Sequence, residues 1–320
     1  MDMACRIRKT MDYDALKVFL TVAGQRGFSR AAEKLRRTQP AVSLAVQRLE
    51  RELGEKLIDR SAKDLLLTDA GRIVLDYARR FENLERELAN ALAELRDNSA
   101  GQLTIGANES TTLYLLQHIV RYRRLYPRVK VEVRRSLSSR IPAQLLDGDL
   151  ELGVISYDPQ NDELVSRVIY TDRLAFVVSP EHRLAGREAV SISELGMETF
   201  IAHNVVSPYR EIVLRAFERH KVRLNMDVEM PTVETIRKMV QRNEGVAFLP
   251  RMCVEQEIEQ GTLCEVKVEE LSVERKIRLV YPARRLLSHA ARAFLELVQD
   301  DHRFQEPGAG GAGAAPRRRG

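Results

Sequence analysis

Apolar positions recur at helical intervals through the first third of the chain. Leu16, Phe19, Leu20 and Ala23 mark a first helix. A short second helix follows Gly27, with Ala31, Ala32 and Leu35 on one side and Ser29 placed to cap it. The two small alanines let another helix cross closely. Arg36, Arg37 and Thr38 interrupt the pattern, and Gln39-Pro40 restarts it, with proline at the first helical position, where its missing N–H costs nothing. Val42, Val46, Leu49 and Leu53, at spacings of 4, 3 and 4, form the buried stripe of this third helix. A rotation of about 100° per residue puts Pro40, Ser43, Leu44, Gln47 and Arg51 on its opposite face. Leu57-Ile58 and Leu65 to Leu67 then predict two short strands joined by Arg60-Ser61-Ala62-Lys63-Asp64.

Residues 69–97 predict one long helix, capped by Thr68 or Asp69. Val74, Tyr77, Phe81, Leu84, Leu88, Ala91 and Leu95 follow at alternating spacings of 3 and 4, a heptad seam. At 1.5 Å per residue such a helix runs about 40 Å. A narrow apolar seam of that length requires a partner helix, which predicts a homodimer.

Beyond residues 97–101 the period changes. Strands are predicted at 102–107, 129–135 and 150–156, alternating with helices at 111–126 and 141–147. A second run follows: strands at 174–179, 200–202, 228–230 and 246–249, with helices at 208–221 and 233–242. A strand at 277–281 and a helix at 288–298 close it. The βαβαβ rhythm predicts parallel sheets with helices on their faces. Ligands of such sheets sit beyond the carboxyl ends of the strands, near helix N-termini. Asn108, Ser110 and Thr111, then Ser138, Ser139 and Arg140, then His203 and Asn204, then Thr232 and Val233 occupy such places. Arg140 and the helix ends favour an anion there, whereas Glu109 and Glu234 oppose one.

Charge sharpens this picture. Residues 1–68 hold 14 Lys and Arg against 9 Asp and Glu, while residues 69–316 hold 34 against 37. The positive excess lies on the helical N-terminal unit, as phosphate binding requires. On that unit Gln39, Pro40, Ser43 and Gln47 have the reach to read base edges, Arg37, Arg60 and Lys63 suit phosphates or the minor groove, and Ser29 and Thr38 are further candidate DNA contacts. Cys5, Cys253 and Cys264 are too few and scattered for a disulfide framework or zinc site, and no metal or other cofactor is expected. No segment approaches 18 uninterrupted apolar residues, and the N-terminus lacks a hydrophobic signal core, so a cytoplasmic protein without membrane contact is expected. Residues 1–11, ahead of an alternative start at Met11, and the Gly- and Arg-rich residues 303–320 are expected to be flexible. Motifs for a phosphate loop, GxSxG or HExxH are missing from the sequence, and no catalytic residue is nominated.

The stretch from Leu16 to Gly71 resembles the winged helix-turn-helix of the LysR-type transcriptional regulators. The likeness runs through Leu16, Phe19, Val22, Gly27, Phe28, Ala31, Ala32, Leu35, Gln39-Pro40-Ala41-Val42-Ser43, Val46, Leu49, Glu50, Leu53-Gly54, Leu57, Arg60 and Leu67-Thr68-Asp69-Ala70-Gly71. Leu44 stands where a basic residue is common, and Ile58 where the usual pair before the wing ends in Phe. A weaker likeness continues through Gly148-Asp149-Leu150-Glu151-Leu152-Gly153 and Gly245-Val246-Ala247-Phe248-Leu249-Pro250. The resemblance implies an α/β multidomain chain. A winged helix-turn-helix would occupy 12–68, with a linker and dimerisation helix at 69–97. A two-lobed receiver resembling type 2 periplasmic binding proteins would span 102–302, with lobe one at 102–172 and 275–302 and lobe two at 173–274. It also implies double-stranded DNA, a small-molecule effector between the lobes, a homodimer or dimer of dimers, and RNA polymerase as partners. The competing expectation is a solute-binding or catalytic α/β protein whose basic N-terminus serves assembly.

Overall fold

A computed structural model describes residues 12–59, 65–96, 101–205 and 207–305, with the side chains of 93–96 and 301–305 outside the description. The chain divides into two compact units near Arg96.

The first unit opens with α1 (Tyr13–Gln25), α2 (Phe28–Leu35) and α3 (Gln39–Leu53). Asp12 caps α1 by accepting the N–H groups of Asp14 and Ala15. The buried faces meet in one core of Leu16, Phe19, Val22, Ala31, Ala32, Val42, Val46 and Leu49. Burial of the apolar stripe, rather than helix propensity, is what fixes these short helices. Ser29 does not cap α2. Phe28 packs against the core, so the helix begins there with Gly27 at its cap, and Ser29 lies exposed in the first turn. Arg36, at φ 54°, ends α2 in the left-handed region, and Thr38 caps α3 by accepting the N–H of Ala41 at 3.4 Å. Helix α3 therefore starts at Gln39, and Pro40 is its second residue, still within the turn whose N–H groups have no intrahelical partner.

Strands β1 (Ile58–Asp59) and β2 (Leu66–Leu67) pair antiparallel, with Ile58 opposite Leu67. The connecting residues Arg60 and Lys63 lie outside the described residues, as do the extension at 1–11 and the tail from 306. Glu50, 3 % exposed, accepts the backbone N–H groups of Leu57 at 3.0 Å and Ile58 at 3.4 Å. This buried carboxylate ties α3 to the hairpin.

Helix α4 spans Asp69–Arg96. Thr68 caps it by accepting the Gly71 N–H at 2.9 Å. Its first turns face the helical core through Ala70, Val74, Leu75 and Ala78. Val74 thus belongs to this packing and not to the seam expected from the heptad pattern. The exposed stripe consists of Ile73, Tyr77, Phe81, Leu84, Leu88 and Leu92, each 42–61 % exposed. An α-helix drifts relative to a strict seven-residue repeat, which shifts the stripe at both ends. The Leu95 side chain lies outside the description.

The second unit contains β3 (Gly101–Ala107), α5 (Glu109–Leu125), β4 (Val129–Arg135), α6 (Ile141–Leu146), β5 (Leu152–Ile155) and β6 (Leu164–Val178). It continues through β7 (Ala189–Val190), β8 (Thr199–His203), α7 (Pro208–Arg219), β9 (Asn225–Met230), α8 (Val233–Gln241) and β10 (Ala247–Pro250). It ends with α9 (Glu255–Glu259), β11 (Cys264–Val268), β12 (Glu274–Pro282) and α10 (His289–Gln305). The main sheet runs β4-β3-β5-β12-β6-β11-β7, with β10 also on β6, and β8 pairs β9 separately. It is mixed, not parallel throughout. β3 is parallel to β4 and β5, but β12 is antiparallel to both β5 and β6. A strand returning from the other lobe has to run back through the sheet.

The crossing between lobes happens inside β6. Its residues up to Arg173 pair with β12, while Leu174 onward pairs with β10 and β11. Tyr122, Leu103, Ile105 and Phe294 anchor the core on one side of that change, and Phe176, Phe200 and Phe217 anchor a core on the other. The β6 residues before Leu174, and β7, α9 and β11, go beyond the elements predicted from sequence.

Gly71, in the first turn of α4, lies close against the backbone of Leu57 ahead of the hairpin. A Cβ on it would lie 2.0 Å from the Leu57 carbonyl oxygen. Gly71→Ala is expected to destabilise the N-terminal unit by about 1–3 kcal/mol or more, read from urea unfolding of the full chain. An unchanged midpoint would refute this account of the contact.

Candidate functional site

Two surfaces carry chemistry, one on each unit. The first is the outward face of α3. Gln39, Pro40, Leu44, Arg48 and Arg51 are exposed, and Ser43 and Gln47 are half-buried beside them. Thr38 reaches this surface at the helix cap. Basic side chains at the margin are held by acids. Arg37 donates to both Asp14 carboxylate oxygens at 2.8 and 3.0 Å, and this hydrogen bonding holds the Asp14 carboxyl below its usual range. Arg48 pairs with Asp12 at 2.8 Å. An exposed helix end with amide and hydroxyl side chains, an exposed leucine and arginines at its edge matches what a major groove accepts.

The second surface is a cavity of about 880 Å³ in the α/β unit. Its walls come from the carboxyl ends of β3 and β4 on lobe one and from β8, α7 and the start of α8 on lobe two. Asn108, Ser110, Ser138, Ser139, His203 and Val233 line it. Asn108 forms a capping box at α5, and its amide nitrogen donates to Ser138 Oγ at 2.8 Å, joining the ends of two strands.

Four expected residues do not line the cavity. Thr111 is fully buried and its hydroxyl donates to the Val154 carbonyl at 3.1 Å, so it packs the helix on the sheet. Arg140 is exposed in a short 3₁₀ turn, Asn204 is exposed after β8, and Thr232 caps α8 by accepting the Thr235 N–H at 3.2 Å. The cavity's arginines are instead Arg135, Arg210 and Arg275.

Arg275 lies at the centre of this site. It is 3 % exposed, on β12, directly across from Asp172 on β6. Its Nη1 donates to Asp172 at 2.7 Å and its Nη2 to Ser110 Oγ at 3.3 Å. Tyr209, from α7, lies over the guanidinium with its ring centroid 4.9 Å away, and donates its hydroxyl to the Ser156 carbonyl. Burial pushes the Asp172 carboxyl up from its ordinary range, and the Arg275 charge pulls it back. Nothing in the local sequence around Arg275 marks it, because its partner stands more than a hundred positions away. Burial also pushes the Cys253 thiol up to about 12, and Cys253 and Cys264 are both free.

Residues 96–303 match the family described as the LysR substrate binding domain, and residues 13–72 match the bacterial regulatory helix-turn-helix protein, lysR family. The chain belongs to the LysR family. It is therefore a LysR-type transcription regulator with a helix-turn-helix DNA-binding domain and an effector-binding domain. A RuBisCO operon transcriptional regulator of Allochromatium vinosum is 32 % identical over 289 residues, covering 88 % of this chain and 94 % of that one. A probable RuBisCO transcriptional regulator of Cyanophora paradoxa is 30 % identical over 301 residues, covering 92 % and 93 %. Among solved structures, the LysR-family regulator CbnR matches with a TM-score of 0.71 at 17 % identity, covering 91 % of this chain and 99 % of that one. A full-length OxyR variant from Pseudomonas aeruginosa matches at 0.65 and 22 %, covering 92 % and 96 %. These two structures share the fold of this regulator.

The Asp172–Arg275 pair generates a stability prediction. Asp172→Ala leaves a buried cation without its counter-charge and is expected to cost about 3–5 kcal/mol in urea unfolding. Replacing both partners by apolar residues, Asp172→Leu with Arg275→Met, is expected to recover most of that loss. Equal losses from the single and double variants would contradict the assignment.

Proposed function

We propose that this regulator reads a symmetric operator through the exposed face of α3 and responds to a small molecule held in the inter-lobe cavity, with a RuBisCO operon as its target. The observation that carries the reading is the outward face of α3: its polar and apolar tips point to solvent while Val42, Val46 and Leu49 hold the helix in place from behind. Gln39, Pro40, Ser43 and Gln47 contact base edges, and Leu44, 60 % exposed, supplies an apolar contact of the kind a thymine methyl takes. Ser29 and Arg37 hold phosphates, with Arg37 exchanging Asp14 for the backbone. The relatives named for RuBisCO regulation support the choice of target.

Within the cavity, Asn108, Ser110, Ser138, Ser139, His203 and Val233 contact the effector. Thr111, Arg140, Asn204 and Thr232 are left out of that set. The chain catalyses no reaction in this reading and works in the cytoplasm, where its DNA lies. No helix among the described residues is long and apolar enough to cross a membrane.

The exposed stripe on α4 pairs two protomers. Six large apolar side chains in line along one helix face, Ile73, Tyr77, Phe81, Leu84, Leu88 and Leu92, are covered by the same face of a second copy. Pairing sets two copies of α3 on one DNA duplex, and a dimer of dimers reads a longer site.

In gel-shift titrations on DNA from upstream of the host RuBisCO operon, Gln39→Ala and Leu44→Ala should each weaken specific binding by about 1–3 kcal/mol while random DNA is bound as before. Replacing thymine by uracil throughout the site should erase the Leu44 effect. Equal losses on random DNA would contradict these roles. Leu84→Glu with Leu88→Glu should yield a monomer by light scattering, and an unchanged mass would remove the α4 stripe from the dimer.

A further inference from the structure

Glu109 is the first residue of α5, on lobe one, and Val233 is the first residue of α8, on lobe two. Glu109 Oε1 accepts the backbone N–H of Val233 at 2.9 Å. Its Oε2 lies 3.4 Å from His203 Nε2 and 3.9 Å from Arg135. A carboxylate from one lobe therefore occupies the N-terminus of a helix on the other. Such a helix end carries roughly half a positive charge and unpaired N–H groups, and it binds carboxylates and phosphates. Thr232 takes the Thr235 N–H, and the N–H of Val233, a residue that lines the cavity, goes to Glu109.

An independent observation points the same way. Arg275 Nε has no hydrogen-bond partner among the described residues. The residue lines the same cavity and is 3 % exposed, and its other two nitrogens are taken by Asp172 and Ser110. A buried guanidinium with an unused donor is costly, and one that borders a ligand cavity has an oxyanion as its natural partner. Tyr209 lies across it and bridges to lobe one at Ser156.

We propose that Glu109 is a built-in competitor for the effector: its carboxylate latches the lobes by holding the N-terminus of α8, and the effector is a small molecule whose carboxylate or phosphate group displaces it. This rests on the reading of the cavity as the effector site. Displacement does not strand the glutamate, because Arg135 stands beside it on its own lobe. The exchange converts a contact between lobes into a contact with ligand, so binding and lobe closure are coupled through one N–H group. The latch sets a threshold, since only a ligand whose oxyanion outcompetes a tethered carboxylate occupies the helix end.

The test uses full-length protein titrated calorimetrically with inorganic phosphate and, separately, malonate. Removing the competitor in Glu109→Ala should tighten binding of at least one probe about tenfold relative to the parent, equivalent to about 1.4 kcal/mol. Tightening of phosphate alone identifies a phosphorylated effector, of malonate alone a carboxylic acid, and of both an oxyanion of either kind. Adding Val233→Pro to Glu109→Ala deletes the N–H at a helical position that accepts proline, and should abolish the gain. Glu109→Gln, which keeps the side chain's shape, should give a smaller gain in the same direction. The proposal is overturned if Glu109→Ala and Glu109→Gln bind neither probe more tightly than the parent, or if the gain survives Val233→Pro. Gel shifts on the same preparations separate the two readings: intact specific DNA binding with no gain sinks the latch alone, whereas loss of specific binding in the parent protein sinks the regulator.

Discussion

The ion pair between Asp172 and Arg275 governs the receiver. The two residues face each other across β6 and β12, the strands that join the lobes, and both are almost wholly buried. Any movement of one lobe against the other has to pivot close to these strands. A buried pair is poor material for adding stability, because desolvation consumes most of the Coulombic gain. Its value is directional. The guanidinium is fixed by Asp172 and Ser110, which holds the side chain in one place at the cavity wall. Asp172 also accepts the Met252 N–H at 3.2 Å, which draws the turn after β10 into the same cluster. One carboxylate thus organises the crossing strands, a lobe-two turn and an arginine of the cavity wall.

The position of the cavity follows from sheet direction. β3, β4 and β5 run parallel and end on the same side, where Ala107 passes to Asn108, Arg135 to Ser136 and Ile155 to Ser156. Each turn delivers a small polar residue to that edge, and α5 opens there with its capping box. In lobe two, β8 and β9 are also parallel and lead to α7 and α8. Helix starts on both lobes therefore border one space. The apolar part of the wall includes Phe200 and Phe248, whose rings stack with centroids 5.6 Å apart. A cavity that is apolar on one side and lined by hydroxyls, an amide and arginines on the other orients a ligand with one charged end.

Sequence pattern revealed the helical N-terminal unit almost in full, because there the contacts that matter are local. Ala31, Ala32, Val42, Val46 and Leu49 sit where a 3.6-residue period puts them. The same pattern misplaced Val74, since a heptad count cannot tell a helix face that meets its own domain from one that meets another chain. The helix starts after strands were also legible, and they led to six of the ten nominated cavity residues. What escaped was set by register between distant segments. The stretch Leu164–Arg173 alternates weakly, and its strand character comes from pairing with β12. Arg275 sits in a run of charged residues, and only the opposing Asp172 separates it from its neighbours. Arg140 has the right chemistry and follows the right strand, but a single 3₁₀ turn carries it to the surface.

The charges on the DNA-binding unit obey a different rule from those in the receiver. Arg37, Arg48 and Lys17 are paired with Asp14, Asp12 and Glu85, all at the surface. Exposed pairs of this kind contribute about 0–1 kcal/mol each, so a phosphate can replace the carboxylate at little cost. The acids also lower the net field of the helical unit, which restrains nonspecific attraction to DNA. Discrimination between sequences then falls, in the proposed reading, to the uncharged tips of α3 at Gln39, Ser43, Leu44 and Gln47. The buried pair in the receiver resists exchange because water cannot take the place of either partner, whereas the surface pairs stay open to solvent. That contrast lets one chain hold a fixed ligand geometry at one end and a salt-sensitive nucleic-acid contact at the other.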